Sequence, residues 1–199
     1  GTLNDNYDVT FNNGVLTITP KALTVIAESK TKTYGEVNPT LTYTTTGLVN
    51  GDSLSGTLAT TAEQYSNVGS YTITQGDLVN SNYTLNFTNG NLEVTKRAIT
   101  LSAMNNSKVY GETNPTLTYT IANGTVVNSD NLGVNLSTTA TQFSNVGSYT
   151  IINDGTLNDN YDVTFNNGVL TITPKALSVT GLVANDKTYD GTTSVTISN

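Results

Sequence analysis

Two runs of this chain carry the residue types of an oxygen-ligand loop for a hard cation. Asn4-Asp5-Asn6-Tyr7-Asp8 and Asn158-Asp159-Asn160-Tyr161-Asp162 set paired carboxylates among amides, the donor class from which calcium takes about six to eight oxygens. The corresponding stretch between them reads Asn80-Ser81-Asn82-Tyr83-Thr84, without a carboxylate. A metal required by the fold would be kept in every copy. The runs therefore read as polar turns, in which Asn and Asp bond their own backbone. No metal ligand is assigned.

Lysine and tyrosine supply the other candidates. Lys32, Lys108 and Lys187 each stand two residues before a tyrosine. A buried lysine can be joined to an asparagine by an isopeptide bond beside a carboxylate, as in some bacterial sandwich domains. Here the lysines border a loop and no buried carboxylate can be picked out, so they are expected at the surface with their stems along apolar ground. Tyr34, Tyr110 and Tyr189 precede glycine or Asp-Gly and are expected to be partly exposed. Tyr7, Tyr71 and Tyr83 share strand faces with aliphatic residues and are expected in the core with satisfied hydroxyls. Histidine, the commonest general acid–base residue, is absent, as are cysteine and tryptophan. Catalytic, cofactor-binding and metal-binding residues are all assigned as none, and no cofactor is implied.

Internal repetition organises these residues. Residues 1–23 return letter for letter as 155–177, and a diverged copy, GDLVNSNYTLNFTNGNLEVTKRAI, runs from Gly76 to Ile99. The chain reads as a window on a tandem array. Residues 1–20 are the C-terminal hairpin of a preceding repeat, 21–96 and 97–174 are complete repeats, and 175–199 is the N-terminal part of a following one.

Within each copy, alternating residues flank an Asn-Gly: Tyr83, Leu85 and Phe87 before Asn89-Gly90, then Leu92 and Val94 after it. Period-two alternation around Asn-Gly predicts a β-hairpin. Lys32-x-Tyr34-Gly35-Glu36-x-Asn38-Pro39, repeated from Lys108 to Pro115, reads as a crossing between sheets, because proline pushes the preceding Asn toward extended geometry. Strands are predicted around Leu23/Val25, Leu41/Tyr43, Leu58 and Tyr71/Ile73, with their counterparts in the second repeat. Residues 47–54 are the one stretch suited to a helical turn. The result is an all-β class: tandem small Ig-like β-sandwich repeats of six or seven strands. The alternative is a β-grasp-like unit with 47–54 as its helix.

These residues, taken together, resemble a known family. Lys-x-Tyr-Gly-Glu-x-Asn-Pro, then Asn-Val-Gly-Ser-Tyr, then Asn-Tyr-x-hydrophobic-x-Phe-x-Asn-Gly is similar to the MBG domain of the YGX type. The head Lys187-Thr188-Tyr189-Asp190-Gly191 resembles the related YDG domain. The resemblance implies tandem repeats of filamentous-haemagglutinin-like bacterial adhesins, extracellular or at the cell surface, with no catalytic or ligand site to carry over.

Composition agrees with that setting. Only 12% of residues are charged and the net charge is −7, so the basic stripe that binds nucleic acid or anionic membrane is missing. No apolar run reaches the length of a spanning helix. The expected role is a structural stalk or spacer that projects a functional region or builds an extracellular fibre, an extended row of beads whose partners are neighbouring repeats. The alternative is weak, multivalent binding of surface glycans or proteins. The partial ends, each with an apolar face and no frame of its own, are expected to self-associate by strand exchange.

Overall fold

The computed structural model describes residues 5–198. Asn4 of the first Asp-containing run, and the outermost residues of both end segments, lie outside that range. The chain divides into two compact units. One comprises the residues up to Arg97 with Asp159–Tyr161; the other comprises Ala98–Asn158 and the residues from Asp162 onward.

Seven strands build the first unit: β1 (Lys21–Ala27), β2 (Lys30–Thr33), β3 (Tyr43–Thr46), β4 (Ala59–Thr60), β5 (Gly69–Thr74), β6 (Tyr83–Thr88) and β7 (Gly90–Thr95). They form a three-stranded sheet in the order β3-β1-β6 and a four-stranded sheet in the order β2-β7-β5-β4. Alternation along each strand turns one row of side chains inward. On β1 these are Leu23, Val25 and Ala27; on β7 they are Leu92 and Val94. The two rows meet, with Ile73 of β5, in one core between the sheets. Fully burying an aliphatic side chain stabilises by about 1.5–3 kcal/mol, so this layer supplies most of what a unit of this size can gain. The sheets are mixed: β1 pairs antiparallel with β3 and parallel with β6, and β7 pairs antiparallel with β5 and parallel with β2.

The second unit repeats the plan with β8 (Arg97–Ala103), β9 (Asn106–Val109), β10 (Tyr119–Asn123), β11 (Leu136–Thr138), β12 (Gly147–Asn153), β13 (Tyr161–Asn166) and β14 (Gly168–Thr173). The orders are β10-β8-β13 and β11-β12-β14-β9. Ile151, Leu170 and Ile172 are buried in its core. The all-β reading and the tandem small sandwiches hold. Residues 34–42 carry the chain from one sheet to the other, as the Gly and Pro spacing predicts. The β-grasp alternative fails: Asn50 and Gly51 turn through positive φ, and the Asp52 N–H donates to the Val49 carbonyl, closing a single turn in place of a helix.

The Asn-Gly hairpin is corrected. β6 lies in the three-stranded sheet and β7 in the four-stranded one, so the two strands do not pair. Asn89 alone separates them: Thr88 closes the ladder with Ile26, and Gly90 opens the next ladder opposite Ile73. Asn89-Gly90 is thus a corner at which the chain changes sheets, and Gly90 does not take the left-handed φ of a type I′ turn. Glycine is needed for close approach instead. A Cβ there would lie 2.9 Å from the Ala27 carbonyl oxygen and 3.2 Å from the Ala27 Cβ. Gly90→Ala is therefore expected to destabilise the first unit by about 1–3 kcal/mol through overpacking against backbone. Gly14→Ala, in the same sequence context but with nothing within 4 Å, should stay within about 0.5 kcal/mol of the parent. Urea denaturation of both variants checks the pair.

The end segments also depart from expectation. Residues 5–20 carry no strand, and Tyr7 and Phe11 are each 72% exposed. The hairpin expected over 1–20 is not formed there, and Tyr7 is not a core residue. In the C-terminal segment, β15 (Val183–Ala184) pairs with β16 (Ile197–Ser198), and the described residues from Lys175 on are exposed.

Candidate functional site

The lysines of the repeat motif are buried, contrary to expectation. Lys32 and Lys108 are each 5% exposed, the only charged residues so placed among the described ones. Lys32 sits mid-strand on β2 with its side chain on the inner face, because the parallel ladder with β7 sets it opposite Val94. Its Nζ donates to the carbonyls of Glu36 (3.1 Å), Gln64 (3.2 Å) and Glu63. Lys108 Nζ donates in the same way to the carbonyls of Glu112 (3.0 Å) and Thr141 (2.6 Å). An ammonium has three donors and no acceptor, so a cluster of backbone carbonyls matches it. Burial pushes the Lys32 pKa below the usual lysine range, and the Glu36 charge partly offsets that.

The rest of the motif builds this cradle. Gly35 takes φ 85° and Gly111 φ 90°, a left-handed turn open to glycine without strain, and this returns the Glu36 or Glu112 carbonyl to the lysine two strand positions upstream of the tyrosine. The glutamate side chains close the same turn: Glu36 accepts from the Thr33 N–H (3.0 Å) and Glu112 from the Val109 N–H (2.9 Å). They are engaged with backbone, not aimed at the ammonium. Asn38 Nδ2 donates to the Ala62 carbonyl and Asn114 Nδ2 to that of Ala140, both at 2.6 Å. Gln64 Nε2 reaches the Gly35 carbonyl (3.0 Å) and Gln142 Nε2 that of Gly111 (2.9 Å). In each unit, then, the motif latches the crossing after β2 or β9 to the loop before β5 or β12. Gln64 and Gln142 were missed in the sequence; their shared spacing after Thr-Ala was the available signal. Lys187 differs. It is exposed and pairs with Asp190 Oδ1 at 2.8 Å, in the head where Tyr-Asp-Gly stands for Tyr-Gly-Glu.

The tyrosines split by position. Tyr34 is 2% exposed, against the expectation of partial exposure, whereas Tyr110 and Tyr189 are exposed. Tyr83 is buried, and its hydroxyl donates to Asp52 Oδ2 (2.8 Å) while accepting from the Val49 N–H (3.0 Å), tying down the turn at 49–52. Tyr71 is partly buried and donates to the Asn67 carbonyl.

Among the described residues, no three His, Cys, Asp or Glu side chains converge to hold a metal. In the middle copy, Asn80 Oδ1 accepts from the Asn82 N–H at 3.0 Å and the Tyr83 N–H donates to the Asn80 carbonyl, the self-bonded turn read from sequence. Chelator is accordingly expected to leave the melting temperature unchanged within about 1 °C, well inside the shift of about 4–8 °C that a loss of 1 kcal/mol brings to a domain this small. Differential scanning fluorimetry with and without EDTA checks it.

One surface feature recurs. A shallow hollow of about 450 Å³ in the first unit is lined by Thr60, Thr61, Ser70, Tyr71 and Thr72. Its counterpart of about 410 Å³ in the second is lined by Thr138, Thr139, Ser148, Tyr149 and Thr150. Both lie along the edge strands β4 and β11 and offer hydroxyls without charge.

No significant match was found among curated proteins or among solved structures. The family model for the MBG domain (YGX type) matches residues 23–93 and again residues 99–171, the two stretches that contain the lysine cradles and their sheets. MBG tandem repeats are typical of bacterial surface proteins and are in general non-catalytic. With most of its length inside the two matched regions, and with the lysine, tyrosine, glycine and glutamate of the motif built into the same latch in both, the chain belongs to the MBG domain (YGX type) family.

Proposed function

We propose that these units are structural spacers in a large adhesin at the bacterial surface or in the extracellular matrix, projecting a functional region or building a fibre. On this reading residues 21–96 and 97–174 are complete repeats, 1–20 ends a preceding repeat, and 175–199 begins a YDG-type one. The observation that carries the proposal is the latch. The motif's Lys, Glu and Asn, with the Gln of the facing loop, donate or accept within the unit, so its polar chemistry is spent on holding a sandwich together. In an array, stability is close to a sum of unit and neighbour terms, and a self-contained latch lets units be multiplied without new partners. Replacing both units in the full-length adhesin by unrelated folded domains of equal span should preserve adhesion, and deleting them should reduce it. Loss of adhesion on replacement would overturn the spacer role.

The recurring hollows favour a second reading, weak multivalent binding of a neutral glycan by hydroxyls and a tyrosine edge. A glycan array probed with the chain separates the two. Spacers give no signal; binding repeats give a saturable one that falls when Thr72 and Thr150 are replaced by Lys.

A further inference from the structure

Five Asn-Gly pairs occur in the chain: 13–14, 50–51, 89–90, 123–124 and 167–168. Asn-Gly is the pair most open to attack on the side-chain amide by the following backbone nitrogen, because glycine has no Cβ to hinder it. We propose that Asn13 is a site of spontaneous conversion to aspartyl and isoaspartyl, and that folding of the repeat protects the same pair at Asn167 and Asn89. In the first step the Gly14 amide loses its proton to hydroxide and its nitrogen bonds to the Asn13 side-chain carbonyl carbon. The bond to the side-chain nitrogen breaks, ammonia leaves and a succinimide remains. Water then opens the ring at either carbonyl, giving aspartate or isoaspartate.

The structure sorts the five pairs. Closing the ring needs room around the glycine and rotation about the bonds next to it. Nothing lies within 4 Å of where a Cβ would stand at Gly14, and Asn13 and Gly14 are exposed in a strandless segment. At Gly168 the same point lies 2.9 Å from the Ala103 carbonyl oxygen and 3.0 Å from that of Met104; at Gly90 it lies 2.9 Å from the Ala27 oxygen, and at Gly124 2.7 Å from the Ala98 oxygen. Gly90 and Gly168 are also the first residues of β7 and β14, held in ladders on both sides. Gly51 is open, but its φ of 72° and the Asp52–Val49 hydrogen bond constrain it, which ranks Asn50 second.

Asn13 and Asn167 lie in the same 23-residue sequence, so any difference in rate between them is a difference of fold. The product matters to the repeat. An isoaspartyl link lengthens the backbone by one carbon, and the one-residue corner between β13 and β14 has no slack for it. A copy altered at this point can no longer take up the end-strand conformation, so the reaction records time spent outside a folded unit.

The test incubates the whole chain at mildly alkaline pH and follows conversion by mass spectrometry of tryptic peptides. Cleavage after Lys21 releases the first copy in a short peptide, and the second stays in a long one ending at Lys175. Asn13 should convert at least about tenfold faster than Asn167, since reaction at a protected site waits on local opening. In denaturant the two rates should converge, and Gly14→Ala should slow Asn13 while leaving Asn167 unchanged. Equal rates in native buffer would overturn the proposal, and so would a difference that persisted in denaturant.

Discussion

Lys32→Met is expected to destabilise the first unit by about 3–5 kcal/mol, the range found when one partner of a buried charged contact is removed. Methionine keeps the apolar stem, so packing along β2 changes little. What is lost is the donor to three carbonyls, those of Glu36, Glu63 and Gln64, and each buried acceptor left without a partner costs about 1–3 kcal/mol. A domain this small has about 5 kcal/mol in all, so much of the unit would be unfolded at room temperature. Lys32→Arg should also destabilise, because a planar guanidinium does not fit a cradle shaped for a compact ammonium. Lys108→Met should do the same to the second unit while sparing the first, since distant sites act independently. Urea denaturation followed by amide exchange assigns each loss to its unit. A Lys32→Met chain within about 1 kcal/mol of the parent would mean that water replaces the ammonium, and that the motif lysine serves something other than the fold.

Leu92→Ala is expected to cost about 2–5 kcal/mol and to exceed Phe87→Ala. Leu92 is completely buried at the centre of β7, between Tyr71 of β5 and Lys30 of β2 in the ladders. Phe87 is only partly buried, packed against the edge of the core from β6 in the opposite sheet. Alternation alone ranks Phe87 at the top, because a hairpin would set it facing Leu92 and Val94. With β6 and β7 in separate sheets it borders the core, and its truncation should cost about 1–2 kcal/mol in proportion to the smaller area uncovered. Chevron or equilibrium unfolding of the two variants ranks them. A Phe87→Ala chain less stable than Leu92→Ala would show that the two strands are placed in the wrong sheets.

Much of the architecture was legible in the residues. Letter-for-letter repetition marked the repeated units, and alternation marked which strand residues face inward: Leu23, Val25, Leu92 and Val94 are the core that their spacing predicts. Gly-x-x-Asn-Pro marked the crossing between sheets. These features are local, set by the period of the backbone and by the φ preferences of glycine and proline.

Strand partners, the depth of the lysine and the fate of the end segments were not local. Asn89-Gly90 has the composition of a hairpin turn, but the space beside Ala27 required the glycine, and only the packed sandwich holds that carbonyl there. Lys32 reads as a surface residue until the loop at 61–66, some thirty positions later, brings its carbonyls over the ammonium. The clearest case is the duplicated sequence itself. As residues 161–173 it forms β13 and β14, with Leu170 and Ile172 buried; as residues 7–19 it forms no strand, and Leu16 and Ile18 are exposed. The letters are the same, so the sequence by itself determined a capacity for strands and their faces. Whether strands form was decided by tertiary structure, because a strand is stable only where neighbouring strands satisfy its backbone and a second sheet covers its apolar row.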